Sequence, residues 1–224
     1  MSHAAPLLPC VEVGPQGADA RSAVVWMHGL GASGYDFEPI APMLGCPKTR
    51  FVFPHAPARP VTINMGFVMP SWYDIVSLEP GPKRESATQI DESAAMIEAL
   101  IAREYERGIT PDKLVVAGFS QGGAMALHVG LRHAQTLAGV MVLSAYALVE
   151  DRIEAEASPA NRCTPFFFGH GNHDDVVAIE RGRHARKLVD HPERRTEFRA
   201  YPMAHEVCPQ EINDIATWLR ARLY

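Results

Sequence analysis

Apolar residues in this chain alternate between short unbroken runs and longer stretches in which they recur at helical spacing. Ala23-Val24-Val25-Trp26-Met27-His28 is too short for a helix and reads as a buried strand, and Phe51-Val52-Phe53 reads as a second. Leu114-Val115-Val116-Ala117, Gly139 to Leu143, Thr164 to Phe168 and Arg195 to Tyr201 make four more. Between them, Phe37, Ile40, Ala41 and Leu44 trace a helical stripe closed by Gly45. Ile90, Ala94, Ile97, Leu100, Ile101 and Tyr105 trace a longer one across residues 86 to 107, ended by Gly108. Helices also follow from Gln121, across Val176 to Val189, and from Pro209 to Leu223. Strands alternating with helices predict an α/β fold, with a mainly parallel central sheet covered by helices on both faces. In such sheets ligands bind beyond the carboxyl ends of the strands, where the glycine- and histidine-bearing loops of this chain fall.

Two stretches lack a period. Residues 1 to 22, rich in Pro, Gly and Ala, suit a short leading strand and a turn at Gly14-Pro15-Gln16-Gly17. From Arg59 to Pro82 the chain holds four prolines, two glycines and an aromatic group, Phe67, Trp72 and Tyr73, that looks exposed. A loop of that length inside a compact domain is usually functional, so 59 to 82 is expected to wall a binding site.

Composition narrows the class. A chain of 224 residues, 47% hydrophobic and 21% charged, is long enough for one well-filled core and reads as a single domain over 1–224. Its net charge of -5 and pI near 6.0 provide no basic field for nucleic acid. No apolar run approaches a membrane span and the first residues lack a signal-peptide pattern, so a cytoplasmic location is expected. Cys10, Cys46, Cys163 and Cys208 are scattered without a C-x-x-C pair, as free thiols would be.

The chemistry concentrates at Gly118-Phe119-Ser120-Gln121-Gly122, a G-x-S-x-G between the strand from Leu114 and the helix that follows. A stray match arises in roughly one chain in ten of this length, so the flanks decide, and a buried strand before with a small-residue helix after are the flanks of a nucleophile elbow. Such a turn lifts the Ser120 hydroxyl above the sheet edge and aims the Gln121 amide at any negative oxygen formed beside it. A hydroxyl needs a base. In this sheet class the acid and then the histidine follow the serine on later strand-end loops. His205, in the short loop between the last strand and the last helix, is the expected base, whereas His128, His133 and His184 fall in helices. For the acid, Asp174 and Asp175 compete in Gly169-His170-Gly171-Asn172-His173-Asp174-Asp175, and spacing does not separate them. Reading His170, His173 and Asp174 as metal ligands is the weaker alternative, since no second ligand cluster stands out.

Taken together, His28-Gly29-Leu30-Gly31, Phe53-Pro54-His55-Ala56-Pro57, Ser71-Trp72-Tyr73-Asp74 and the Gly118-to-Gly123 elbow resemble the phospholipase/carboxylesterase family of α/β-hydrolases, which includes bacterial carboxylesterases and acyl-protein thioesterases. The likeness runs over nearly the whole chain, and GLGASGYD, from Gly29 to Asp36, is closer to the bacterial esterase pattern. It implies an α/β-hydrolase fold without a separate cap domain. It also implies Ser120 as nucleophile, Asp174 as acid and His205 as base, with the amides of Leu30 and Gln121 as oxyanion hole. No metal or organic cofactor is implied, and family members can be homodimers.

The expected activity is serine carboxylesterase, acting on neutral short-to-medium acyl esters. Phe67, Met69 and Trp72 are expected to line the acyl pocket, since no charged group lies in Asn64 to Pro70 to hold an anionic carboxylate. Acyl-protein thioesterase or lysophospholipase activity would use the same site on another substrate. A catalytically silent hydrolase fold serving as a binding protein would require a missing residue or an obstructed elbow, and neither is visible in the sequence.

Overall fold

A computed structural model describes residues 7–77 and 84–224. Among the described residues nine strands follow in chain order: β1 (Cys10–Val13), β2 (Ser22–Met27), β3 (Thr49–Pro54), β4 (Ala58–Val61), β5 (Phe67–Pro70), β6 (Leu114–Phe119), β7 (Gly139–Leu143), β8 (Phe166–Gly171) and β9 (Thr196–Tyr201). The helices are α1 (Ala87–Glu106), α2 (Gln121–Arg132), the four-residue α3 (Ile153–Glu156), α4 (Ile179–Leu188) and α5 (Pro209–Leu223). The stripe from Phe37 to Leu44 forms a 3-10 helix, Glu38–Leu44, terminated by Gly45 in the left-handed region at φ 63°.

Seven strands build one sheet in the order β1-β3-β2-β6-β7-β8-β9. All neighbours are parallel except β1, which runs antiparallel to β3 and pairs Cys10 with Pro54. The central strands are buried on both faces, and alternate side chains feed two cores. Val25, Met27, Val116, Val142 and Phe168 pack on one side with Ile97 and Leu100 of α1 and Met125 of α2. Val24, Trp26, Val115, Met141 and Phe167 pack on the other with Leu44 and with Trp218 and Leu219 of α5. This two-sided burial explains why those strands read as continuous apolar runs rather than alternating ones. At the β3 end, Arg50 and Glu104 form a fully buried ion pair at 2.7 Å that ties the sheet to α1.

Three sequence expectations change. Residues 58 to 70 are not irregular: β4 and β5 form an antiparallel hairpin, with Val61 paired to Phe67 and Ala58 to Pro70. Pro60 and Pro70 disguised it, because a two-stranded ribbon leaves outer edges on which no N–H is needed. The remainder of the expected loop, from 78 to 82, lies outside the described residues, as do residues 1–6 of the leading segment. Second, Trp72 and Tyr73 are fully buried rather than exposed. Third, β8 continues through Gly169-His170-Gly171, which pair with Arg199, Ala200 and Tyr201 of β9. That continuation requires glycine at 171, where a Cβ would collide with the carbonyls of Met203 and Ala204.

Candidate active site

The C-terminal ends of β2, β6, β8 and β9 meet at Ser120. Its backbone sits at φ 55°, ψ -120°, a conformation that L-residues avoid and that typically costs about 1–3 kcal/mol. Small neighbours make it attainable: a Cβ at Gly118 would strike the Gly122 carbonyl, and one at Gly122 would strike the carbonyls of Met27 and His28. The turn is pinned from below by the Ser120 N–H donating to Leu143 O at 2.8 Å, and α2 closes onto it as Ala124 N–H donates to Ser120 O at 3.0 Å.

From Ser120 a hydrogen-bonded chain runs through two later loops. The Ser120 hydroxyl lies 2.9 Å from His205 Nε2, and His205 Nδ1 lies 2.7 Å from Asp174 Oδ2. The carboxylate only accepts, so Nδ1 carries the ring proton and Nε2 is left to accept from the hydroxyl. Asp174 Oδ1 accepts the N–H groups of Val176, at 3.0 Å, and Val177, at 2.7 Å. α4 begins at Ile179 and not at Val176, because Ala178 just before it has a non-helical backbone at φ -52°, ψ 135°. Asp175, the other sequence candidate, is exposed.

The loop after β2 carries Leu30 and is held from three directions. His28 Nε2 accepts from Ala56 N–H at 3.1 Å, so its Nδ1–H donates to Gly29 O at 2.7 Å. Burial lowers the His28 pKa, partly opposed by the Gly29 hydrogen bond, and keeps the ring neutral in that tautomer. Gly31 N–H donates to Pro70 O at 2.9 Å, which lashes the β4–β5 hairpin to the same loop. Gln121 opens α2, where the first backbone N–H groups have no partner within the helix and remain available to an anion.

Two side chains have positions that the sequence did not reveal. The Gln121 amide is a clamp, accepting from Trp72 N–H at 2.8 Å and donating to Tyr73 O at 2.7 Å. Trp72 Nε1–H donates to His28 O at 2.9 Å, its carbonyl accepts from Ser93 Oγ, and its ring lies 5.4 Å from that of His28. Trp72 is therefore a wedge behind the Leu30 loop and not an exposed wall. Phe67 is 68% exposed on the hairpin, and Met69 accepts from Asn64 at its sulfur. The signal for the clamp was present as Gln121 beside Ser120, but nothing in the chain order says that residues 71–73 come to meet it.

His170 and His173 do not form a metal centre with Asp174. His170 is buried and neutral, its pKa lowered by desolvation, with Nε2–H donating to Val177 O at 2.8 Å, and His173 points to solvent. Among the described residues no group of three or more metal-capable side chains converges, and no helix is long and apolar enough to cross a membrane.

A family model described as Phospholipase/Carboxylesterase matches residues 8–223. The chain belongs to this family. Among phospholipase/carboxylesterase relatives, a probable carboxylesterase of Oryza sativa subsp. japonica is 36% identical over 91% of this chain and 78% of its own length. Acyl-protein thioesterase 1 of Neurospora crassa is also 36% identical, over 93% of this chain and 90% of its own. The crystal structure of Arabidopsis thaliana SOBER1 superposes with a TM-score of 0.84 at 32% identity, covering 92% of this chain and all of that one. The α/β-hydrolase fold is therefore that of its family, and the protein is a hydrolase of the carboxylesterase and acyl-protein thioesterase group.

Proposed function

We propose that this family member is a serine carboxylesterase acting on short-to-medium-chain carboxylic esters through Ser120, His205 and Asp174. The observation that carries the reading is the unbroken chain from Asp174 Oδ2 to His205 Nδ1 at 2.7 Å and from His205 Nε2 to Ser120 Oγ at 2.9 Å, ending on a serine held in a strained turn. Ser120 Oγ attacks the ester carbonyl carbon while His205 Nε2 takes its proton, and Asp174 stabilises the imidazolium that results. Negative charge that develops on the carbonyl oxygen is received by the backbone N–H groups of Leu30 and Gln121. Collapse returns the proton from His205 to the departing alcohol, and a water molecule repeats the sequence to free the acid.

The acyl chain is assigned to the hairpin side, with Phe67 and Met69 as apolar surface and Trp72 as rigid backing. Each buried methylene contributes about 0.8 kcal/mol, so kcat/KM should rise with acyl length until the surface is filled. A fluorophosphonate probe tests the site: a single labelling event that disappears in Ser120→Ala, together with ester hydrolysis, is expected. Labelling and hydrolysis that persist in Ser120→Ala would refute it.

A second reading, hydrolysis of protein S-acyl thioesters, is favoured by the fungal relatives named acyl-protein thioesterase 1 and by the exposed apolar tip at Met65, Phe67 and Val68. A chain-length series of matched esters and thioesters separates the two, because a strict preference for long-chain thioesters would select the second.

A further inference from the structure

A cleft of about 330 Å³ opens directly beside Ser120 and His205, and no residue of the hairpin is in its lining. Its apolar lining includes Phe37, Phe119 and Val207, and its charged lining is Asp36 and Glu206. No lysine or arginine is among the described residues that line it. The Phe37 and Phe119 rings lie 5.9 Å apart, and Phe119 packs 4.8 Å from the His205 ring. Asp36 is fixed by its Oδ1, which accepts from Ser33 N–H at 3.0 Å and Ser33 Oγ at 3.1 Å, whereas Glu206 is exposed beside the base.

The geometry of acyl transfer decides which half of an ester enters this cleft. The departing oxygen must reach His205 Nε2 to receive its proton, and the carbonyl oxygen must face the amides of Leu30 and Gln121. The wall formed by His205, Glu206 and Val207 therefore borders the alcohol half, and the acyl half is directed to the hairpin. A half-buried aromatic ring together with carboxylates, and no lysine or arginine, is the chemistry that receives an ammonium group, through the ring quadrupole and through charge.

We propose that this cleft is an alcohol subsite that selects esters of ammonium-bearing alcohols, with Glu206 and Asp36 supplying the charge and the half-buried Phe119 the aromatic surface. The inference rests on the Ser120 esterase reading and adds the class of leaving group. It divides the substrate in two, with a neutral acyl chain on the hairpin side and a cationic alcohol on the His205 side.

Two butyrate esters of nearly equal shape test it, butyrylcholine and its uncharged counterpart 3,3-dimethylbutyl butyrate. The ratio of their kcat/KM values is read within each protein, so differences in active fraction cancel. The wild type is expected to favour the choline ester, and Glu206→Gln to lower that ratio by about fivefold, the effect of one nearby charge across water. Added salt should lower the ratio in the wild type and do so less in the variant. Glu193→Gln, which removes the same charge from an exposed residue beside Arg162, should leave the ratio where it is. A ratio unchanged in Glu206→Gln, or shifted equally by Glu193→Gln, would overturn the subsite while leaving the esterase intact. Failure to hydrolyse either ester would overturn the esterase reading and the subsite with it.

Discussion

Asp174 and Glu211 are both buried carboxyl groups packed near β8, yet their surroundings are opposite. Asp174 has no exposed side-chain surface and accepts two backbone N–H groups and the His205 ring. Glu211, in the first turn of α5, is equally buried against Gly169, and neither of its oxygens has a hydrogen-bond partner among the described residues. Desolvation, reinforced by the nearby charge of Asp214, pushes the Glu211 pKa up to about 8. Burial alone therefore favours a protonated carboxyl, and it is the converging donors around Asp174 that suit a carboxylate to hold an imidazolium. The contrast separates a buried carboxyl group supplied with donors from one that has none among the described residues.

Removing the charge at the partnered site should have the largest effect. Asp174→Asn keeps the size and an acceptor for the Val176 and Val177 amides but no longer fixes the His205 tautomer, so kcat should fall by up to about 10⁴-fold with substrate binding little changed. Steady-state kinetics on a butyrate ester measure it, and a loss confined to KM would contradict the role. Trp72 is a neutral group that is equally well partnered, and Trp72→Ala should cost about 3–5 kcal/mol of stability by denaturant melting. Any activity it retains should drop similarly for acetyl and octanoyl esters. A loss graded with chain length would instead put the ring in the acyl pocket.

At the unpartnered site the expected change has the other sign. Below about pH 4.3, the ordinary glutamate pKa, Glu211 is protonated folded and unfolded alike and does not oppose folding. Between there and about pH 8 the unfolded chain releases a proton that the folded chain retains, so this group makes stability fall as pH rises, by at most about 1.4 kcal/mol per unit. Glu211→Gln should remove that slope and raise the melting temperature at pH 8. An unchanged pH profile of melting would mean that Glu211 is satisfied by partners and that the contrast with Asp174 is false. The smallest effect belongs to Asp175→Asn, an exposed neighbour of Asp174, which should leave turnover unchanged and shift stability by no more than about 0.5 kcal/mol.

The elements of the sheet and the position of Ser120 were legible in the sequence because they rest on local rules. A buried parallel strand must be apolar throughout, as Leu114 to Ala117 is, and a strand-to-helix turn this tight needs glycine where Gly118 and Gly122 stand. His205, the proposed base, was legible for a similar reason, since few histidines lie on strand-end loops and it is one. Other features depend on which distant segments meet, and only the tertiary structure decided them. Asp174 and Asp175 are adjacent and chemically equal in the chain, and the turn that accepts the Val176 and Val177 amides is what directs one toward His205 and leaves the other in solvent. Trp72 looked like a surface aromatic among prolines until Gln121, His28 and Ser93 closed around it. The same holds for the cleft beside Ser120, whose Phe37 and Glu206 are far apart in sequence and line one cleft only because the loops after β2 and β9 meet above the same end of the sheet. Hydrophobic periodicity records how each segment faces a core, but it carries no information about which loops converge above that core.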